Sequence, residues 1–166
     1  MEKVLFVVDM QEMYVGRGRD KAAYSYKAEE LIEKINKRIV SYKPEEVFYI
    51  MSIKKGLLGG SMPKEGSHGA KHVENLKVVS KNIYQKGKPD AFVNNDLCDY
   101  MRAHNIKEIE FTGVDGGGSV GFSAIGAIDC GMRVILNENC IGTLVPEKAM
   151  KCREKMKKNR VTYIHD

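Results

Sequence analysis

The sequence predicts an α/β fold: a doubly wound, mainly parallel sheet of about six strands with helices on both faces, in three layers. Along its 166 residues, short apolar segments typical of strands alternate with segments of helical periodicity. The first strand-like segment, residues 4–9 (VLFVVD), is apolar at every position before its final Asp, which indicates a strand covered on both faces. The length suits one hydrophobic core, so we predict a single domain over residues 1–166.

The other elements are predicted from periodicity and turn residues. An apolar stripe predicts a helix that has Ser25 as its candidate cap and ends before Pro44; the stripe consists of Ala28, Leu31, Ile32, Ile35 and Ile39. Further strands are expected at residues 47–53, 78–84, 109–112, 134–136 and 161–164. Further helices are expected around Leu97 and Met101, from Ser119 to Gly131, and from Pro146 onward.

Composition and charge argue against several classes of partner. The net charge of +5 is modest, and the densest basic run, residues 148–160, is typical of a solvated helix face rather than a nucleic-acid site. No apolar run is long enough to span a membrane, and the first residues lead into a strand without a signal-peptide pattern. The cysteines lack C-x-x-C spacing and are predicted to be reduced core thiols: Cys98, Cys130, Cys140 and Cys152. We therefore expect a cytoplasmic protein with no nucleic-acid or membrane partner.

A glycine-rich turn joins the strand at residues 109–112 to the helix that begins at Ser119. A hydroxyl in the first turn of a helix lies among unpaired N–H groups that favour negative charge, so this turn is a candidate site for an anion or a nucleophile. Asp9, at the end of the first strand, is a second candidate, because ligands of parallel sheets bind beyond the carboxyl ends of strands. A capping or solvated Asp is the alternative for that position.

Several motifs overlap at the glycine turn. Gly116, Gly118 and Gly121 match the dinucleotide fingerprint, although late in the chain, and the absence of a following Lys-Ser/Thr pair excludes a P-loop. Residues 117–121 match the G-x-S-x-G elbow of α/β-hydrolases, for which only His165 is left as a base. A tight turn that merely allows close packing is the remaining alternative.

A long loop at residues 54–69 holds five glycines and is of the kind that covers a site. His68 and His72 have the i, i+4 spacing of metal ligands on a helix. Gly69 directly follows the first of them, and no acidic or Cys partner is nearby, so we predict no metal.

Four segments, in order, resemble the isochorismatase-like cysteine hydrolases, a family that includes nicotinamidases and N-carbamoyl amide hydrolases. Residues 4–11 resemble its opening strand with a catalytic Asp followed by x-Gln, and residues 67–70 its Gly-Ala loop segment. In residues 86–92 the spacing of a catalytic Lys to an Ala-Phe pair selects Lys86 over Lys88. Residues 113–120 resemble the G-V-x-x-x-x-C-V nucleophile turn. The resemblance covers nearly the whole chain.

The resemblance implies a site at this sheet edge. Its catalytic residues are Asp9, Lys86 and Ser119, and the oxyanion hole consists of the backbone N–H groups of Asp115 and Ser119, with a cis peptide between Val114 and Asp115. Residues implied to bind substrate are Gln11, Gly118 and Phe92. The implied partner is a small-molecule substrate, without a cofactor, in a homo-oligomer (dimer or tetramer). The metal-binding nicotinamidases carry an Asp and His pair after the second strand, but residues 51–62 contain neither.

One departure bears on mechanism: Ser119 stands where the family has its nucleophilic Cys. A carboxylate can help to ionise a thiol of pKa ~8.5, but it is a poor base for an alcohol. Isochorismatases proper also lack the Cys and use the Asp as an acid. We predict a hydrolase that acts on a small molecule, at an amide C–N or related bond, through an Asp–Lys–Ser site. The alternative is a catalytically silent member that binds a small carboxylate or amide or serves as a partner subunit.

Overall fold

A computed structural model describes residues 2–57 and 60–166 of the chain. Within these residues six parallel strands form one sheet in the order β3-β2-β1-β4-β5-β6. The strands are β1 (Lys3–Val8), β2 (Val47–Ser52), β3 (Ile83–Lys86), β4 (Glu108–Val114), β5 (Arg133–Gly142) and β6 (Thr162–Ile164). The chain starts at the centre of the sheet, proceeds to one edge and returns to the other side of β1. The carboxyl ends of β1 and β4 therefore form the switch point, where doubly wound folds bind their ligands.

Helices cover both faces of this sheet, as the sequence predicts. They are α1 (Glu12–Val15), α2 (Ala28–Ile39), α3 (Asp96–Ala103), α4 (Ser119–Asp129) and α5 (Pro146–Met156), with 3₁₀ turns at Pro44–Glu46 and His68–Ala70. Alternate residues of β1 face opposite layers: Phe6 packs with α3 and α4, whereas Leu5 and Val7 pack with α2. The continuous apolar run of β1 is thus explained by burial on both sides.

Three predicted boundaries are wrong. Helix α2 begins after Lys27, and Ser25 does not cap it. Strand β3 occupies Ile83–Lys86 instead of residues 78–84, since the side chains of Ser80 and Asn82 both bind the carbonyl of Val47 before the strand begins. Strand β5 is longer than predicted and pairs with β4 across a register shift. In the loop at residues 54–69, positions 58 and 59 lie outside the described residues.

The cysteine prediction holds for two of the four residues. Cys140 and Cys152 are buried free thiols, as predicted. Cys98 of α3 and Cys130 after α4 instead form a disulfide, because the packing of these helices brings their Cα atoms within 5.8 Å, a distance typical of bridged pairs. None of the helices among the described residues is long and apolar enough to cross a membrane.

A buried charge cluster attaches α2 to the sheet. Glu110 of β4 is fully buried, and its carboxylate accepts two hydrogen bonds from Arg38 (2.6 and 2.7 Å), one from Tyr42 (2.6 Å) and one from Asn137 (3.0 Å). Burial alone would raise the pKa of Glu110, but these hydrogen bonds outweigh it and lower the pKa below the ordinary 4.5. A carboxylate held in this way is stable in the core only while its partners remain.

Candidate active site

Three neighbouring strands end in polar side chains that meet above the sheet. Asp9 directly follows β1, Ser52 is the last residue of β2, and Lys86 is the last residue of β3. The Lys86 Nζ lies 3.2 Å from the Asp9 Oδ2, 2.6 Å from the Ser52 Oγ and 2.8 Å from the Oγ of Ser119, the first residue of α4. The predicted convergence of Asp9, Lys86 and Ser119 is therefore confirmed as geometry, with Lys86 at its centre.

Asp9 is held in an unusual backbone conformation. Its φ is +51°, a left-handed value that is uncommon outside glycine and that recurs at functional sites. Its N–H donates to the carbonyl of Ile50 (2.8 Å), and its Oδ2 accepts from Ser52 and Lys86. The other carboxylate oxygen, Oδ1, is buried and has no hydrogen-bond partner among the described residues. This oxygen is the part of the carboxylate that no described protein group uses.

Burial dominates the electrostatics of the cluster. Lys86 is 5% exposed and Asp9 4% exposed, so their charges are taken out of water together. Burial lowers the pKa of Lys86, and the charge and hydrogen bond of Asp9 offset only part of that shift. An ammonium group destabilised in this way releases its proton more easily than an exposed lysine does.

The turn before α4 requires glycine for packing as well as for conformation. Gly113 has a φ of +109°, and a Cβ there would lie 2.0 Å from the carbonyl oxygen of Val8. A Cβ at Gly117 would meet Lys148 at 2.6 Å, and one at Gly121 would meet the carbonyl oxygen of Gly116 at 2.5 Å. The close-packing interpretation of these glycines is thus correct, and it coexists with the site.

Asp115 fixes the shape of this turn. Its carboxylate accepts hydrogen bonds from the N–H groups of Gly117 (2.7 Å) and Leu144 (2.6 Å) and from the hydroxyl of Tyr26 (2.9 Å). The Val114–Asp115 peptide is cis, as expected from the resemblance. Within the described parts of the chain, the N–H groups of Asp115 and Ser119 donate to no acceptor. They are the two groups predicted to form an oxyanion hole, a role that stays a prediction.

A cavity of about 200 Å³ opens onto this cluster. Its lining includes Asp9, Gly118 and Ser119 on one side and the three aromatic residues Tyr14, Tyr24 and Tyr26 on the other. Arg19 holds the tyrosine-bearing loop in place by donating to the carbonyls of residues 16, 24 and 26. The volume is small for a ligand pocket, so it suits a small molecule.

The tyrosine hydroxyls enter this cavity as neutral groups. Burial, followed by the charge of Asp9, raises the pKa of Tyr14 well above its usual range, and burial, followed by the charge of Asp115, does the same for Tyr26. The Tyr26 proton is donated to Asp115, whereas the Tyr14 hydroxyl is protonated and able to donate to a ligand at any ordinary pH. Neither tyrosine was predicted from the sequence, because no motif or periodicity marks this loop.

Two residues predicted to bind substrate lie elsewhere. Gln11 is fully buried, and its amide is occupied by the N–H and carbonyl of Ser52 and by the carbonyl of Ala70. Phe92 lies in the core and stacks on Phe6, with ring centroids 6.1 Å apart. We therefore correct both assignments: Gln11 holds the backbone of Ser52 in place, and Phe92 packs against Phe6 in the hydrophobic core. Gly118 lines the cavity, and its role in binding substrate stays a prediction.

The residues near the site do not fit a divalent metal. Residues 51–62, which include the end of β2 and the segment after it, contain neither Asp nor His. His68 and His72 contact different partners, the carboxylate of Glu12 and the ring of Tyr49. The described residues contain no group of three or more His, Cys, Asp or Glu placed to hold a metal ion. We therefore derive no chemical step through a metal.

Comparison with known proteins agrees with this architecture. The isochorismatase domain model matches residues 3–165. The structure of pyrazinamidase from Pyrococcus horikoshii in complex with zinc superposes with a TM-score of 0.81 and 21% identity, covering 100% of both chains. N-carbamoylsarcosine amidase from Thermoplasma acidophilum gives a TM-score of 0.80 and 18% identity, covering 99% of this chain and 96% of the other.

A third similar structure is an isochorismatase-like hydrolase from Alkaliphilus metalliredigens, with a TM-score of 0.81 and 17% identity over 98% of this chain and 93% of the other. The comparison with curated proteins returned no match. At such identities the solved structures support the fold, whereas the family assignment follows from the domain match over nearly the whole chain. The chain belongs to the isochorismatase family.

Proposed function

We propose that the protein hydrolyses a small amide or a related C–N bond, with Ser119 as the nucleophile of an Asp9–Lys86–Ser119 site. The observation that carries this proposal is the 2.8 Å contact between the Ser119 hydroxyl and the buried amine of Lys86. A hydroxyl next to a buried amine, at the start of a helix, has the arrangement of an activated nucleophile. The N–H groups of Asp115 and Ser119 are the candidate donors to the oxyanion.

The small cavity and the similar structures support an amide as substrate. Two of those structures are named a pyrazinamidase and an N-carbamoylsarcosine amidase. The cavity offers the hydroxyls of Tyr14 and Tyr24 as donors, and the buried Oδ1 of Asp9 is an acceptor for a substrate N–H. An amide carries both complementary groups, a carbonyl oxygen and an N–H. The cavity of about 200 Å³ limits the substrate to a small molecule.

Turnover of a panel of small primary amides and N-carbamoyl compounds tests the proposal. We expect release of ammonia or amine from at least one of them, and we expect Ser119→Ala to lower kcat by about 10³-fold or more, because the nucleophile is removed. Ser41→Ala, which changes an exposed serine outside the cavity, is the control and should retain activity. Binding of small amides or carboxylates without any turnover would instead support the alternative of a catalytically silent member.

A further inference from the structure

We propose that Lys86, positioned by Ser52, is the general base that takes the proton from the Ser119 hydroxyl, and that Asp9 stabilises the ammonium group that then forms. The inference rests on the proposed function and deepens it. It moves the role of base from the carboxylate to the lysine, and it gives Ser52, which no motif marked, the role of a positioning residue.

In the structure the Lys86 Nζ donates to three oxygens, those of Asp9, Ser52 and Ser119, as an ammonium group does, and loss of one proton leaves the arrangement that a base needs. A neutral Nζ has two N–H donors and one lone pair. Because the Ser52 hydroxyl donates its proton to the Asp9 Oδ2 (2.9 Å), its oxygen is left to accept from Lys86 at 2.6 Å. Asp9 accepts the second N–H at 3.2 Å. In the neutral form the lone pair replaces the N–H that Lys86 donates to the Ser119 Oγ at 2.8 Å, so the serine hydroxyl can then donate to Lys86, which is the contact that a base requires.

Ser52 is itself held rigidly. It is 1% exposed, and both of its backbone polar groups bind the side-chain amide of Gln11: its N–H donates to Oε1 (2.9 Å) and its carbonyl accepts from Nε2 (3.0 Å). The same Nε2 donates to the carbonyl of Ala70. The hydroxyl of Ser52 therefore has a fixed place between Asp9 and Lys86, so it holds the Lys86 amine in line with Ser119.

The charges around Lys86 favour this division of roles. A carboxylate with an ordinary pKa near ~4 is too weak a base for an alcohol, whereas an amine is a much stronger one. Burial lowers the pKa of Lys86, and the carboxylates of Asp9 and, more weakly, Asp90 oppose that shift. Tyr14, whose pKa is raised by burial and by the charge of Asp9, stays protonated. Asp9 thus stabilises the protonated form of Lys86, which is the role that the Asp of a Ser-His-Asp triad has toward its histidine.

The chemical steps balance without a further reagent except water. The Ser119 proton moves to Lys86 as the Oγ–C bond forms, and the carbonyl electron pair moves to oxygen. When the C–N bond breaks, Lys86 returns that proton to the leaving nitrogen, and an ester to Ser119 remains. Lys86 then takes a proton from water, whose oxygen attacks the ester. The O–C bond to Ser119 breaks, the proton returns to its hydroxyl, and the acid leaves.

Labelling with methanesulfonyl fluoride tests the base without a known substrate. This small reagent forms a bond between the Ser119 Oγ and sulfur and releases fluoride, while the serine proton goes to the base. We expect the labelling rate, followed by mass spectrometry, to rise with pH through a midpoint below the ordinary lysine value of 10.5. The sign follows from the mechanism, because only the neutral amine can accept the proton. A rate that falls as Lys86 loses its proton, or no labelling of Ser119 at any pH, would overturn the inference.

Variants distinguish the two candidate bases. Lys86→Met should slow labelling by about 10²-fold or more, whereas Lys88→Met, which alters the exposed lysine two residues later, should not. Asp9→Asn should keep labelling and move the curve to lower pH, because removing the carboxylate lowers the pKa of Lys86 further. If Asp9 were the base, the same substitution would abolish labelling.

Ser52 variants test the positioning role. Ser52→Ala should slow labelling and shift its pH profile, and Ser52→Thr, which keeps the hydroxyl, should restore the wild-type profile at least in part. Circular dichroism confirms that each variant is folded. An unchanged rate and profile in Ser52→Ala would remove Ser52 from the mechanism. Because labelling needs no substrate, a panel of amides without turnover would reject the proposed function while leaving this measurement interpretable.

Discussion

Arg38→Met should lower the free energy of unfolding by about 3–5 kcal/mol, because it leaves the carboxylate of Glu110 buried without its main partner. Arg38 donates two of the hydrogen bonds to Glu110, at 2.6 and 2.7 Å, and the side chain of Glu110 is fully enclosed between α2 and the sheet. Tyr42 and Asn137 would still donate one uncharged hydrogen bond each, and the remaining cation, the partly exposed Lys3, lies farther away, at 3.5 Å from Oε2. Urea unfolding at neutral pH measures the loss.

The neighbouring residue supplies a matched control. Lys37 pairs with Glu33 on the exposed side of the same helix at 2.7 Å, and exposed pairs of that kind contribute little to stability because water and salt screen them. Lys37→Met should therefore be close to neutral. A loss of similar size in both variants would show that the methionine disturbs α2 and that the buried pair is not responsible.

The difference in the free energy of unfolding between the native protein and Arg38→Met should change with pH in a definite direction. In the native protein the pKa of Glu110 is lowered, so its stabilising contribution is present above the ordinary value of 4.5 and is lost as the pH falls through the lowered value. Without Arg38, a large share of the interactions that oppose burial is gone, so the pKa of Glu110 rises relative to the native protein and its charged form is stabilised less. The gap in stability between native protein and Arg38→Met should therefore narrow as the pH is lowered.

The fold was largely predictable because it depends on patterns that are local along the chain. The apolar run before Asp9 and the helical stripe from Ala28 to Ile39 each predict an element that the structure confirms. The errors arise where distant residues decide the outcome. Strand β3 begins late because Ser80 and Asn82 bind a carbonyl of β2, and the pairing of Cys98 with Cys130 depends on how α3 meets α4.

The candidate site was predictable only in part. Asp9 and Lys86 were found because they end strands and match a motif, but Ser52 also ends a strand and matched none. The rule that ligands bind beyond strand ends, applied to β2, would have indicated Ser52 as well. Gln11 was identified by a motif but given the wrong role, because a sequence pattern does not show that a buried amide is already fully hydrogen-bonded.

Ser119→Cys should make the site react with iodoacetamide near neutral pH. A thiol has an ordinary pKa of ~8.5, and a lysine together with a helix N-terminus lowers it to about 3.5–7.5. Lys86 lies 2.8 Å from the hydroxyl that would be replaced, and Ser119 is the first residue of α4. The thiol proton should therefore already lie on Lys86 at rest. We expect alkylation at pH 7 to be about tenfold or more faster than that of an ordinary thiol, of which only a few per cent is ionised.

The native cysteines give a low background for this measurement. Cys98 and Cys130 are joined to each other, and the two remaining thiols are buried. Burial raises the pKa of Cys140 to about 11 and also raises that of Cys152, so neither forms much thiolate at neutral pH. Peptide mapping by mass spectrometry should accordingly find the label at position 119 in the variant and almost none in the native protein.

A second substitution separates the contribution of the lysine from that of the helix. Adding Lys86→Met to Ser119→Cys removes the amine and leaves α4 in place, so alkylation at pH 7 should fall towards the rate of an ordinary thiol. Adding Lys88→Met should not change it, since that lysine is exposed and outside the cluster. If the introduced thiol reacts equally fast with and without Lys86, then the helix N-terminus alone activates this position. Lys86 would in that case not be the group that receives the proton, for the thiol or for the native serine.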